Sequence, residues 1–297
     1  MVTKGIILAG GNGTRLFPLT KYVSKQLLPL YDKPLIYYPL SILMLSKIKD
    51  ILIISKSEDK PFFKKILSDG QHLGLKISYE IQDTPSGLTE AFVIGEKFIN
   101  KKRVMLILGD NFFYGQGLES IISEAIKSKK NTIFAYKVKD PKSYGVVKFN
   151  KFGKIEKIFE KPKKFISNYA IPGIYIYDKS VSSYAKTLKK SKRGETEIKD
   201  LNNIYLNKNL LDAKIFGRGV AWLDAGTPEK LLEAGEFVKV IENRQGFKIA
   251  CLEEIALRNK WITKNKLSKS LSKIPECEYK DYLRSLINEK NSSHQKK

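Results

Sequence analysis

The sequence is poor in cysteine, histidine and arginine, and it has no long uninterrupted apolar run. Its two cysteines, Cys251 and Cys277, lie far apart. They suit a reducing compartment, leave no disulfide framework and cannot form a zinc cluster on their own. The two histidines, His72 and His294, have no serine or cysteine motif beside them, which argues against a hydrolytic triad. The longest apolar stretch, Ile36 to Leu45, is broken by Pro39 and Ser41 and falls short of the ~18 residues a membrane helix needs. The N-terminus lacks the charged flank, long apolar stretch and small-residue cleavage site of a secretion signal. A cytoplasmic protein without a membrane partner is expected.

The 297 residues include 42% of the AVILMFWYC set and 29% charged residues, which supports one large or two small domains with a sizeable core. The balance of 54 basic to 31 acidic residues gives +23. Only seven of the basic residues are arginine, and the lysines are scattered without interleaved aromatics. That distribution does not predict a nucleic-acid partner. It does suit an anionic small substrate drawn in by a positive field.

Apolar runs alternate with helical patterns. Gly5 to Ala9, Asp50 to Ser55, Leu75 to Ile81, Val104 to Leu108 and Thr132 to Lys137 read as strands. Pro34 to Lys47, Lys60 to Ser68, Leu88 to Phe98 and Leu118 to Ser128 read as helices. This order predicts an α/β fold: a mostly parallel sheet with helices on both faces. The second half is more mixed. Gly145 to Phe149 and Lys154 to Ile158 predict a hairpin, Gly173 to Tyr177 a further strand and Leu231 to Asn243 a helix. Beyond Gly246 come shorter pieces and a frayed tail, Asn291 to Lys297.

The sharpest local signal is Leu8-Ala9-Gly10-Gly11-Asn12-Gly13-Thr14-Arg15-Leu16, where a buried strand runs into three glycines. Glycine allows a tight loop and close approach of a ligand to the main chain. Consecutive amides then make a concavity for anions, and Arg15 adds a planar charge suited to phosphate. Leu16 excludes a dinucleotide fingerprint, and Thr14-Arg15 excludes a Walker loop. Lys25 precedes an apolar run and a proline. Asp110 ends a wholly apolar strand, where ligands of open parallel sheets bind. It suits either a magnesium ligand or a cap of the next turn. Asp224, in Trp222-Leu223-Asp224-Ala225-Gly226, offers the same two readings, and Glu160-Lys161-Pro162 is either a binding pair or a surface turn.

Taken together, these stretches resemble the sugar nucleotidyltransferases. The resemblance runs from Lys4 to about Ile262. It includes Ser24-Lys25-Gln26-Leu27-Leu28-Pro29, Gly109-Asp110-Asn111, Tyr144-Gly145-Val146-Val147, Glu160-Lys161-Pro162, Arg193-Gly194-Glu195 and Trp222-Leu223-Asp224. It continues through Glu242-Asn243-Arg244-Gln245-Gly246 and Lys260-Trp261-Ile262. The resemblance implies a nucleotide-binding sheet with an inserted sugar-binding part and a helical C-terminal segment. Residues 1–240 would form the catalytic domain, with nucleotide binding mainly in 1–130 and sugar binding mainly in 131–230; residues 241–297 would form an oligomer and regulatory segment.

The implied reaction transfers a thymidylyl group from dTTP to α-D-glucose 1-phosphate with Mg²⁺, giving dTDP-glucose, a precursor of dTDP-rhamnose, and pyrophosphate. The sugar phosphate attacks the α-phosphorus in line, with no covalent enzyme intermediate. Implied catalytic residues are Arg15, Lys25, Asp110, Lys161 and Asp224. Gly10, Gly11, Gly13 and Thr14 would hold the triphosphate, and Gln26 would lie near the nucleoside sugar. Gln82 and Gly87 would read the base. Asp110 and Asp224 would ligate the metal. Asn111, Gly145, Glu160, Lys161 and Ile171 would bind the sugar phosphate. Tyr114, Gly115, Arg218, Cys251 and Glu254 would mark a second, regulatory nucleotide-sugar site in a homotetramer.

Pro172, Lys199 and Ala225 replace residues common in the family, as does the wording from Asp83 to Gly87; these bear on sugar and base preference. UTP, or another hexose phosphate, is the alternative within the class. A non-catalytic nucleotide-sugar sensor predicts loss of Arg15, Lys25, Asp110 or Asp224, and all four are present.

Overall fold

A computed structural model describes residues 2–84, 86–191 and 194–288. Pro85, Arg193, His294 and the expected tail from Asn291 to Lys297 lie outside the described residues.

Among the described residues, fourteen strands and eleven α-helices follow in order. The first strands are β1 (Val2–Leu8), β2 (Pro29–Leu30), β3 (Lys33–Pro34), β4 (Asp50–Ser55), β5 (Lys76–Ile81) and β6 (Arg103–Leu108). Next come β7 (Asn111–Gly115), β8 (Asn131–Lys137), β9 (Gly145–Phe149), β10 (Ile155–Glu160), β11 (Tyr169–Ala170) and β12 (Ile174–Tyr177). The last two are β13 (Leu211–Ile215) and β14 (Val220–Asp224). The helices are α1 (Tyr37–Leu45), α2 (Lys60–Leu67), α3 (Glu90–Ile94), α4 (Glu96–Ile99), α5 (Leu118–Lys127) and α6 (Val181–Thr187). Then follow α7 (Ile198–Asn207), α8 (Pro228–Gln245), α9 (Leu252–Arg258), α10 (Lys264–Leu271) and α11 (Glu278–Asn288).

The central sheet runs β10-β9-β11-β8-β12-β6-β1-β4-β5, with β13 also on β8. The pairs β1–β4, β1–β6, β4–β5 and β8–β13 are parallel, while β12 is antiparallel to both β6 and β8. The inner parallel strands β4 and β6 are apolar over residues 51–54 and 104–108 because both faces are covered, whereas β5 carries exposed polar residues and β13 half-buried ones. Ile7, Ile51, Ile53 and Met105 face one apolar core with α1, α5 and the C-terminal helices. Ile6, Leu52, Leu106 and Tyr175 face the other, with α3, α6 and α7. Leu252, Ala256, Leu267 and Leu283 share the first core, so the C-terminal helices are packed onto the same sheet.

Several expected boundaries move. The helix expected from Pro34 begins at Tyr37, because Pro34 pairs with Pro29 in the β2–β3 ribbon. Pro39 is accommodated within the first turn, where backbone amides have no partner inside the helix. The helix expected over Leu88 to Phe98 divides at Gly95, where a Cβ would lie 2.8 Å from the Ala91 carbonyl oxygen and 3.1 Å from Ile6. The helix expected over Leu231 to Asn243 is longer, from Pro228 to Gln245. Thr227 caps its start by accepting from the Lys230 amide, and Gly246, at φ 70°, ends it. Strands β7, β13 and β14 and helices α6 and α7 were not expected; β7 and β14 form a separate antiparallel ribbon.

Candidate active site

The glycine loop leaves the end of β1 beside β4, where the Ala9 amide donates to the Ile54 carbonyl at 2.7 Å. Gly13 takes φ 60°, and the Thr20 hydroxyl donates to its carbonyl at 2.9 Å. A Cβ on Gly13 would strike Thr20 at 2.8 Å, so both conformation and space demand glycine there. Gly11 faces open space. A cavity of about 350 Å³ opens beside this loop, lined by Gly11, Gly13, Thr14, Arg15, Lys25 and Gln26, with Asp110 at its far wall. Gly10 backs the loop against Gln82. The Gln26 amide is held by a hydrogen bond from the Ser24 hydroxyl at 2.8 Å.

Lys25 is buried, and its ammonium donates to Asp110 Oδ2 at 2.6 Å. Asn111 Nδ2 donates to Asp110 Oδ1 at 2.8 Å. Burial alone would push the Asp110 carboxyl up; the Lys25 charge and these hydrogen bonds outweigh it and hold the carboxyl below its ordinary range. Asp110 is therefore a carboxylate throughout the physiological range.

The β7–β14 ribbon brings in the second carboxylate. Its register sets Asp224 opposite Asn111, and the Ala225 amide donates to the Asp110 carbonyl at 3.1 Å. Asp224 Oδ1 accepts from Lys230 Nζ at 2.6 Å and from the Tyr144 hydroxyl at 3.2 Å. Gly226 keeps the other side clear: a Cβ there would lie 3.0 Å from Arg15 Nη2 and 3.2 Å from Asp224 Oδ2. Trp222 braces the ribbon. Its indole N–H donates to Asn111 Oδ1 at 2.7 Å, as does the Gly173 amide at 3.0 Å. Asn111 thus ties together Asp110, the β12 approach and Trp222.

Asp110 and Asp224 are oxygen donors at adjoining strand ends. A hard divalent cation such as Mg²⁺ keeps waters and phosphate oxygens and needs only one or two protein carboxylates. The donor set fits such an ion. Among the described residues no group of three or more His, Cys, Asp or Glu side chains forms a closed all-protein metal site.

A second cavity of about 260 Å³ adjoins the first and shares Arg15 and Asp110 with it. Asn111, Gly145, Glu160, Lys161 and Ile171 all line it. The Ile171 amide donates to the Gly145 carbonyl at 2.8 Å and the Lys161 amide to the Tyr144 carbonyl at 3.1 Å, which ties these residues into one wall. Glu195, Thr196, Lys199 and Tyr175 complete the opposite side. Asn202, also in the wall, is buried, and its Nδ2 has no hydrogen-bond partner among the described residues.

Gln82 and Gly87 do not line either cavity. Gln82 is buried against Gly10 and donates its amide to Glu90. Gly87 has φ 113°, and a Cβ would fall 2.3 Å from the Thr196 carbonyl oxygen. The Thr196 amide donates to Ser86 at 2.7 Å, so this loop is clasped to the second cavity's wall. Gly87→Ala is expected to disrupt that clasp and raise KM for the nucleotide at least ~10-fold. Steady-state kinetics across a nucleotide series would check it; an unchanged KM would refute the role.

Tyr114, Gly115, Cys251 and Glu254 line a separate cavity of about 520 Å³ between α1, α5 and α9; Arg218 does not line it. Burial, then the nearby Glu253 charge, pushes the Cys251 thiol well above its ordinary range. Local sequence reading did not single out Lys230. It is one lysine of a polar helix start, and nothing nearby in sequence distinguishes it. The part played by the Tyr144 hydroxyl was equally hidden.

The parallel sheet, the glycine loop at its strand ends and the cleft lined by Arg15 and Lys25 mark an enzyme of the nucleotide-binding α/β class. The chain belongs to the nucleotidyl transferase family, whose model matches residues 4–240. It is similar to the glucose-1-phosphate thymidylyltransferase of Neisseria meningitidis serogroup A, with 51% identity over 285 residues covering 96% of this chain and 99% of that protein. It is similar to the protein of the same name from Mycobacterium tuberculosis at 48% identity, again covering 96% and 99%. A Bacillus anthracis structure in complex with sucrose, provisionally named a glucose-1-phosphate thymidylyltransferase, superposes with a TM-score of 0.73 at 39% identity, covering 79% of this chain and 94% of that one.

Proposed function

We propose that this enzyme transfers a thymidylyl group from dTTP to α-D-glucose 1-phosphate, forming dTDP-glucose and pyrophosphate. The observation that carries the reading is the convergence of Arg15, Lys25, Asp110, Asp224 and Lys161 on two adjoining cavities. One cavity has the amide-rich loop a triphosphate needs. The other has the lysine, carboxylate and backbone groups that suit a sugar phosphate.

In this reading Gly10, Gly11, Gly13 and Thr14 bind the triphosphate through their amides. Arg15 and Lys25 neutralise the charge that grows on the departing pyrophosphate. Lys161 orients the sugar phosphate oxygen toward the α-phosphorus, while Gly145, Glu160 and Ile171 hold the hexose. Asn111 acts through Asp110 and Trp222, fixing both. Gln82, hydrogen-bonded to Glu90, and Gly87 shape the base site. When bound by Asp110 and Asp224, Mg²⁺ supplies charge stabilisation to the phosphates. No side chain is required as a nucleophile; positioning and charge neutralisation carry the rate.

No helix among the described residues is long and apolar enough to cross a membrane, and we place the activity in the cytoplasm. We read the 520 Å³ cavity as the regulatory nucleotide-sugar site of a homotetramer, formed by Tyr114, Gly115, Cys251 and Glu254, with Arg218 outside its wall.

Pyrophosphate release with Mg²⁺, glucose 1-phosphate and either dTTP or UTP tests the reaction. Fast release with dTTP and little with UTP is the expected result. Equal rates, or UTP alone, would overturn the base assignment; silence with both from folded protein would overturn the activity.

A further inference from the structure

Asp224 carries a lysine that the reaction as described does not use. Lys230 stands at the start of α8, whose first turn is fixed by the Thr227 cap and by Pro228. That places its ammonium 2.6 Å from Asp224 Oδ1. The same ammonium lies 3.0 Å from the Tyr144 hydroxyl and 5.2 Å from the centre of the Tyr144 ring. Tyr144 is itself seated against Trp222, at 5.0 Å between ring centres, and its carbonyl holds the Lys161 backbone. The lysine is therefore held by two side chains, the Asp224 carboxylate and Tyr144.

Asp110 has its own lysine in Lys25. With Lys230 on Asp224, each carboxylate at the strand ends has one ammonium of its own. The Arg15 guanidinium, also cationic, approaches Asp224 across Gly226, where a Cβ would lie 3.0 Å from Arg15 Nη2 and 3.2 Å from Asp224 Oδ2. A divalent cation approaching Asp224 meets a carboxylate already shared with one positive charge and overlooked by a second. Like charges a few ångströms apart in a partly desolvated cleft repel strongly.

We propose that Lys230 is a resident counter-cation of Asp224 that weakens the carboxylate's own hold on a divalent metal, so that the ion enters with the triphosphate that carries it. This rests on the reading of Asp224 as a metal ligand. The negative phosphates supply the attraction that the protein alone withholds. Lys230 is a positioning residue in this scheme: it acts through Asp224 and keeps that side chain oriented when the nucleotide is away.

The test is a Mn²⁺ titration of the nucleotide-free protein, read by electron paramagnetic resonance, for wild type, Lys230→Met, Lys230→Arg and Asp224→Asn. Lys230→Met is expected to bind Mn²⁺ at least ~10-fold more tightly than wild type. Lys230→Arg, which keeps the charge, is expected to stay within about twofold of wild type. Distorted folding or the loss of a merely structural contact would weaken binding, so a gain is diagnostic. Unchanged or weaker binding in Lys230→Met, with Asp224→Asn weaker still, would overturn the counter-cation role and leave the metal reading standing. Lys230→Met and Asp224→Asn both matching wild type would instead overturn Asp224 as a ligand. As a second readout, the Mg²⁺ concentration for half-maximal turnover is expected to fall in Lys230→Met.

Discussion

Asp110→Asn is expected to lower turnover by at least ~10²-fold with glucose 1-phosphate and dTTP saturating. The substitution removes one negative charge from the wall shared by both cavities and changes almost nothing in shape. Asparagine can still accept from Lys25 through its amide oxygen, but its NH2 then faces the Asn111 NH2, so one of the two hydrogen bonds to this side chain is lost. Breaking a fully buried ion pair costs ~3–5 kcal/mol. Here the cost is smaller, because the Asp110 side chain retains 25% of its exposure and a neutral acceptor replaces the carboxylate. Pyrophosphate release, with a thermal melt of the same sample, separates the two effects. A variant that melts near wild type and turns over near wild type would rule out a metal role for Asp110.

Lys25→Met is the complementary case, with an expected loss of ~10²–10³-fold in turnover. It also reverses a pH dependence. In the native protein Lys25 holds the Asp110 carboxyl below its ordinary value of 3.8. The stability this contributes is fully present above the unfolded value and is lost only as pH falls through the depressed one. With methionine at position 25, burial is opposed only by the Asn111 and backbone hydrogen bonds, and the carboxyl moves upward from its native value. The variant is then least stable at neutral pH, where an ionised Asp110 sits in a poor environment, and recovers as pH falls through the raised value. Melting temperatures measured from pH 4 to 8, relative to wild type at each pH, report the sign. A difference that stays constant with pH would show that Lys25 does not set the state of Asp110.

Much of the fold was legible because long apolar runs have few solutions. β1, β4, β6 and β8 are buried on both faces, and the composition of Ile6 to Leu8 or Val104 to Leu108 admits little else. The elements that escaped notice are those whose pattern is interrupted. Helix α7 turns Ile198, Leu201 and Tyr205 inward at helical spacing, yet Asn202 shares that buried face. Its amide oxygen accepts from the buried Tyr177 hydroxyl, a partner that local sequence cannot name. Strands β7 and β14 are short and stabilise one another across more than a hundred residues. Neither has a turn or a strict alternation to mark it.

The candidate site divides in the same way. Local sequence was enough to establish the glycine loop, the arginine beside it and an aspartate at the end of a buried strand. Each follows from backbone freedom, from the chemistry of one side chain or from an apolar run that stops. Such features depend on residues within a few positions of each other. The pairing of the carboxylates, with Lys25 on Asp110 and Lys230 on Asp224, depends instead on chain segments 85 and 6 residues apart and on the β7–β14 register. Even the short separation was silent, because Lys230 meets Asp224 only once Pro228 starts α8 in that direction and Tyr144 arrives from the bend before β9. Charge in a cleft is a sum over everything packed around it, and that sum exists only when the chain has closed.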